Sequence, residues 1–154
     1  MCTRNDEYGA IYLPKAAGDS TTATVKVDGQ VFTSEWAKAG LMMRSDISKA
    51  GASPGYATIS VSPSNGVAFQ SDNDGNGFVD SSTGAAGKAP IWLRLVRDGS
   101  TVTGYSSTDG TTWTRVGSGT VPGAAASEDV GMFTTSHAAG TVGGGGFSGF
   151  RVSP

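Results

Sequence analysis

Short runs of alternating apolar and polar residues, each closed by Gly, Pro, Asn or Asp, fill this chain almost from end to end. Alternation with a period of two sends successive side chains to opposite faces of an extended strand, so the pattern predicts β-structure. Ten segments carry it: "YGAIYL", "TTATVKV", "AGLMMRSD", "GYATISVSP", "GVAFQS", "PIWLRLVRDG", "TVTGYSS", "TWTRVG", "DVGMFTTS" and "GFSGFRV". Between them "SPSNG", "RDGS" and "STDGTT" hold Asn-Gly or Asp-Gly steps suited to hairpin turns. No segment sustains a helical period, and "SEWAKAG" is predicted to form a single turn. The glycine-rich "AAGTVGGGG" reads as a flexible return loop before the last strand. Ten strands in 154 residues predict an all-β, two-sheet antiparallel jelly-roll sandwich. The expected organisation is one module over residues 1–154, with 1–6 as a linker edge cut from a longer chain.

The same alternation assigns faces. Ile91, Leu93 and Leu95 share one side of their strand, and Trp92, Arg94 and Val96 the other. Leu41 and Met43 oppose Met42, Arg44 and Asp46; Val67 and Phe69 oppose Ala68 and Gln70; Val102 opposes Thr103 and Tyr105. If these strands share a sheet, its polar face presents Arg44, Asp46, Gln70, Arg94 and Tyr105 together. Guanidinium and carboxylate groups bond vicinal hydroxyls in pairs, and an aromatic ring covers the apolar face of a pyranose, so this set predicts a sugar-binding face. An ordinary solvated face has the same pattern. Tyr56 and Tyr105 are the candidate aromatic platforms, whereas Trp36 and Trp92 are expected to pack.

Composition narrows the partners. The net charge is −2, with 11 Lys and Arg against 13 Asp and Glu and no basic run, which argues against nucleic acid and anionic membranes. No stretch of about 18 apolar residues is present to span a bilayer. The 24 glycines come with 37% hydrophobic residues, a combination that folds. The single Cys2 has no partner for an internal disulfide. A surface rich in Ser, Thr and Gly and poor in Lys fits a secreted, extracellular protein.

Four stretches, "EYGAIYLP", "WAKAGLMMRSD", "SPGYATISVSPSNGVAFQSDNDGNGFVD" and "APIWLRLVRDGSTVTGYSSTDGTTWTRVG", resemble in this order a set of bacterial extracellular modules. The resemblance covers Glu7 to Val152. It implies the concanavalin A-like lectin/glucanase fold and an accessory module of a secreted glycan-degrading enzyme, covalently linked to a catalytic domain. It also implies noncatalytic carbohydrate binding, to a polysaccharide or oligosaccharide. The rival reading is a structural spacer or protein-interaction module, because fold alone does not fix function.

The stretch "SDNDGNGFVD" carries the densest polar chemistry. Asp72, Asp74, Asn76 and Gly77 match the spacing of a calcium loop, with the Phe78 carbonyl and Asp80 in the next two ligand positions. The twelfth position is Thr83, where an EF-hand has a bidentate Glu, and the flanks read as strands. The expectation is a structural calcium loop grafted between strands; a water-exposed hairpin tip is the alternative. All-oxygen ligands select a hard ion, and Gly75 and Gly77 permit the turns that wrapping requires.

Enzymatic equipment is sparse. His137 is the one histidine, which removes histidine-cluster metal sites. No nucleophile elbow precedes a helix. The three glutamates, Glu7, Glu35 and Glu128, do not form the paired-acid pattern of sandwich glucanases. Ser107, Asp109, Gly110 and Trp113 resemble a sialidase Asp-box one residue too short, and read as a hairpin turn over a packed Trp113. The sequence predicts no enzyme.

Overall fold

The computed structural model describes residues 7–49 and 53–154; the single Cys2 lies outside them. Among the described residues eleven strands follow one another: β1 (Gly9–Ala17), β2 (Ser20–Gln30), β3 (Lys38–Arg44), β4 (Ala57–Ser62), β5 (Gly66–Ser71), β6 (Ser81–Ala85), β7 (Ile91–Asp98), β8 (Thr101–Ser107), β9 (Thr114–Thr120), β10 (Glu128–Thr135) and β11 (Gly145–Ser153). All ten expected strands form, and one more, β6, joins them. It contains no large apolar residue and lies at a sheet edge, so alternation had nothing to mark.

Six strands in the order β1-β10-β3-β4-β5-β6 make one sheet, and five in the order β11-β2-β7-β8-β9 make the other. Every ladder is antiparallel. The molecule is therefore an all-β sandwich. The "SPSNG", "RDGS" and "STDGTT" turns join β4 to β5, β7 to β8 and β8 to β9. "SEWAKAG" forms one turn, closed by the Ala37 amide on the Ser34 carbonyl at 3.1 Å.

The inward positions predicted by alternation fill the core. Leu41, Met43, Val67, Phe69, Ile91, Leu93, Leu95 and Val102 all pack between the sheets. Phe69 reaches across to β8 and β9, where glycines leave it room. A Cβ at Gly104 would stand 2.6 Å from the Phe69 ring, and one at Gly117 3.0 Å from it. Full burial of such a ring contributes roughly 2–3 kcal/mol.

A second apolar cluster lies on the outer side of the six-stranded sheet. Met42, Ile47, Tyr56, Val79 and Phe133 are buried there, with Tyr8, Ala10 and Tyr12 against them. Strand β3 is consequently buried on both faces. The segments after β3 and after β5 bend over this side, and their cover decides what the outer face can offer.

Candidate functional site

The sheet order divides the five residues expected to form one sugar-binding face. Arg44 and Gln70 belong to the six-stranded sheet, with Asp46 just beyond β3, whereas Arg94 and Tyr105 stand on the five-stranded sheet. They point away from the core on opposite sides of the sandwich and form no common site.

Arg44 itself is fully buried. Its Nε donates to the Ser53 carbonyl at 3.0 Å, its Nη2 to the Gly77 carbonyl at 2.8 Å, and its guanidinium lies 4.7 Å from the centroid of the Tyr56 ring. Parity put Arg44 outward correctly, but outward here means under two loops. Tyr56, expected as a platform, is buried by the same cover. Asp46 closes its own turn, accepting the Ser48 amide at 3.0 Å and the Ser48 hydroxyl at 2.5 Å, with Lys49 at 3.7 Å. The Ser48 hydroxyl is the main cause that holds the Asp46 carboxyl below its ordinary range.

The loop from Ser71 to Asp80 is folded around Asp72. This buried carboxylate accepts the Gly75 amide at 2.7 Å on Oδ1 and the Gly77 amide at 2.9 Å on Oδ2. Gly77 has φ +91°, a conformation that disfavours any Cβ. Its amide binds Asp72 while its carbonyl accepts from Arg44, so one glycine ties the loop to β3. Asp80 Oδ2 accepts the Asn73 and Asp74 amides at 2.9 and 3.1 Å. Oxygens of Asp72, Asp74 and Asp80 lie within 4.8 Å of one another. Asn76, expected as a fourth ligand, is engaged inside the loop: its Nδ2 donates to Asp74 at 2.9 Å and its Oδ1 accepts the Phe78 amide at 2.8 Å. The donor set that fits a hard cation is thus the three carboxylates.

Beside that loop, the outer face of the six-stranded sheet opens into a groove of about 320 Å³. Its floor is the polar parity of β4, β5 and β6, namely Ser60, Ser62, Ala68, Gln70 and Ser82. Asn65 from the β4–β5 turn, Lys38, Trp36 and His137 complete the walls. Trp36 is 52% exposed, against the expectation that it packs. It sits in a turn that β3 leaves uncovered, and Asn65 Nδ2 braces that turn by donating to the Glu35 carbonyl at 2.8 Å. Burial first, then the Lys38 charge, lowers the pKa of His137, which favours the neutral ring.

Gln70, which lines the groove, stands directly across from Thr58 in the β4–β5 ladder, but Thr58 is fully buried and lies outside the lining. Gln70 Oε1 and Thr58 Oγ1 are both buried atoms without a hydrogen-bond partner among the described residues. Neither atom is exposed to the groove, so as the side chains stand neither reaches a ligand in it. Sequence reasoning found Gln70 and missed the other groove residues. The signal was present in "ATISVS", whose polar Thr58, Ser60 and Ser62 recur at every second position. A larger hollow of about 660 Å³ lies by the β6–β7 connection, but neither an aromatic ring nor an amide side chain lines it.

On the opposite sheet the hairpin turn at Ser107–Thr112 forms as expected. Asp109 Oδ1 accepts the Ser107 hydroxyl at 2.9 Å and the Thr111 and Thr112 amides at 2.8 Å each. Those amides, Thr112 first, hold the carboxyl far below its ordinary range. Trp92 packs, as expected, with a Cβ at Gly110 or Gly149 only 2.9 Å from its indole. Trp113 supports Arg94, whose guanidinium lies 3.8 Å from the centroid of its ring.

Two antiparallel sheets with this order, an outer groove and hairpin loops at the rim define the lectin-like, concanavalin A-like class of sandwich. The chain belongs to a family described as a protein of unknown function (DUF1349), whose model matches residues 3–153. No curated protein sequence matches it. Among solved structures, a functionally unknown protein from Saccharomyces cerevisiae is similar at 22% identity and a TM-score of 0.59, over 94% of this chain and 72% of that one. Xylan β-1,4-xylosidase from Bacillus halodurans C-125 is similar at 18% identity and a TM-score of 0.58, over 89% of this chain. This chain spans only 28% of the xylosidase's length. Sheep galectin-11, in complex with glycerol, is similar at 8% identity and a TM-score of 0.54, over 97% of this chain and 98% of that one. These likenesses share the fold.

Proposed function

We propose that this chain is a noncatalytic carbohydrate-binding module that holds a neutral polysaccharide in the groove over β4, β5 and β6. The observation that carries the reading is the groove lining itself, in which the amide side chains of Gln70 and Asn65 and the hydroxyls of Ser60, Ser62 and Ser82 share a wall with the half-exposed Trp36. Sugar hydroxyls exchange hydrogen bonds with amide and hydroxyl side chains, while an exposed indole covers the C–H face of a pyranose. Asn65, Ser60, Ser62 and Ser82 add donors and acceptors along the floor. Among the described residues no carboxylate lines the groove, whereas glycoside cleavage ordinarily takes two, which favours binding without cutting. The sandwich recurs as part of a xylan-degrading enzyme, which supports the proposed setting: a secreted protein whose catalytic domain is joined to this module.

Affinity electrophoresis through soluble xylan and a panel of other neutral polysaccharides tests this. Trp36→Ala is expected to weaken retardation about tenfold or more, and Gln70→Ala severalfold, each with unchanged melting. Normal retardation of both variants would remove the groove. No retardation of the unmodified protein by any polymer would leave the spacer reading.

The same proposal gives Asp72, Asp74 and Asp80 a structural calcium ion, with the Phe78 carbonyl as a further candidate oxygen. Three carboxylates this close repel one another, and a hard cation relieves that better than amides alone. At a hundredfold excess over its dissociation constant, calcium is expected to raise Tm by about 5–10 °C relative to chelator. Asp74→Ala should abolish that increment. Identical melting in calcium and in chelator would exclude the ion.

A further inference from the structure

The outer face of the five-stranded sheet carries a line of arginines that the core does not use. Register puts one residue from each strand in a single transverse row. Arg151 on β11 faces Thr24 on β2, Thr24 faces Arg94 on β7, Arg94 faces Tyr105 on β8, and Tyr105 faces Arg115 on β9. With strands about 4.8 Å apart, successive arginines in the row are about 10 Å apart at their backbones. Arg115 and Arg151 are exposed and Arg94 is half-buried. None of the three joins an ion pair among the described residues.

Arg94 is held in advance of any ligand. Its plane rests on Trp113, and its Nε donates to Thr24 Oγ1 at 3.3 Å, its one hydrogen bond among the described residues. A guanidinium has five N–H donors, so most of the fork remains for a planar anion. Burial and the nearby Arg151 charge both disfavour the Arg94 cation, and a bound anion would reverse that cost. The row is flanked by Thr22, Val96, Thr103 and Ser118 on one side, and on the other by Lys26, Trp92 and the buried Ser107, whose hydroxyl donates to Asp109. Asp28, farther along β2, is engaged by Lys26 at 3.7 Å and by the Ser148 hydroxyl at 3.0 Å.

We infer that this face binds an acidic polysaccharide, its carboxylates meeting Arg151, Arg94 and Arg115 in turn as the polymer crosses the strands. Three separated cations beside Tyr105, Thr22, Thr103 and Ser118 suit a chain of hydroxylated rings with spaced charges. A protein partner would be expected to meet a more apolar centre, and a nucleic acid a denser basic surface. The site lies on the opposite sheet from the groove and does not depend on it.

Affinity electrophoresis in polygalacturonate, with the fully methyl-esterified polymer as neutral control, provides the test. The acid polymer is expected to retard the protein and the ester not to. Affinity should fall about tenfold or more from about 50 to about 200 mM salt. The double variant R115Q/R151Q, altered only at exposed positions, should lose about tenfold, and adding R94Q should abolish retardation. Retardation by the ester equal to that by the acid would overturn the inference. So would undiminished binding by the folded triple variant, or tighter capture of single-stranded DNA. Retardation in neutral xylan, scored separately, belongs to the groove, so the two readings fail apart.

Discussion

Arg44→Ala is expected to lower the unfolding free energy by roughly 3–5 kcal/mol, a large share of the stability of a domain this size. The side chain is completely buried, so its removal empties a space over Tyr56 that water and neighbouring atoms fill poorly. It also strips the donors from the Ser53 and Gly77 carbonyls. Because the Gly77 amide holds Asp72, the damage passes into the acidic loop. Arg44→Lys should recover little, since an ammonium cannot lie flat on the ring while feeding two carbonyls. Urea unfolding monitored by tryptophan fluorescence measures it. A loss below about 1 kcal/mol, with weakened sugar binding instead, would return Arg44 to the ligand face.

The second large effect is a dependence on pH. Glu128 at the start of β10 is fully buried, and neither of its carboxylate oxygens has a hydrogen-bond partner among the described residues. Arg97 Nη1 is 3.8 Å away, too far for a hydrogen bond, because Arg97 already donates to the carbonyls of Ala17, Gly99 and Ala125. Gly55 crowds the other side: a Cβ there would meet Glu128 Oε1 at 2.3 Å. Burial raises the carboxyl to about 7, against the pull of Arg97 and Lys15 and with a further push from Asp129. The folded protein therefore holds a proton that the unfolded chain releases near its ordinary 4.5. Stability from this group is full below that value and is lost as pH rises through about 7. Glu128→Gln should match the parent near pH 5 and exceed it by roughly 3 kcal/mol near pH 8. An advantage that does not change with pH would show that Glu128 is not the titrating group.

Most of the strand pattern was legible because alternation is a local signal, and each inward residue from Leu41 to Val102 went where its parity placed it. β6 escaped because "SSTGA" has nothing apolar to bury. Neighbourhood was harder to read. Parity places Arg44, Gln70, Arg94 and Tyr105 away from the core, but pairing partners decide which core face they turn their backs on. Those partners are set by side chains far along the sequence. Cover is equally non-local: Arg44 and Tyr56 occupy outward positions that two loops then close, while Trp36 was expected to pack and stands half in water. The clustering of the three carboxylates was legible because they lie within ten consecutive residues.

The pairing of β11 with β2 joins segments far apart in the chain, as the bond from Ser148 to Asp28 across 120 positions shows. Loop closure over such a distance is slow compared with forming the β4–β5 or β7–β8 hairpins. During synthesis β2 is made long before β11, so its outer edge stays open until almost the whole module has left the ribosome. An unpaired edge of that length is a template for pairing with another chain. The bulges in the β11–β2 ladder twist the junction, and Lys26 sets a charge on β2. Both discourage a second copy from taking the place of the strand that arrives last.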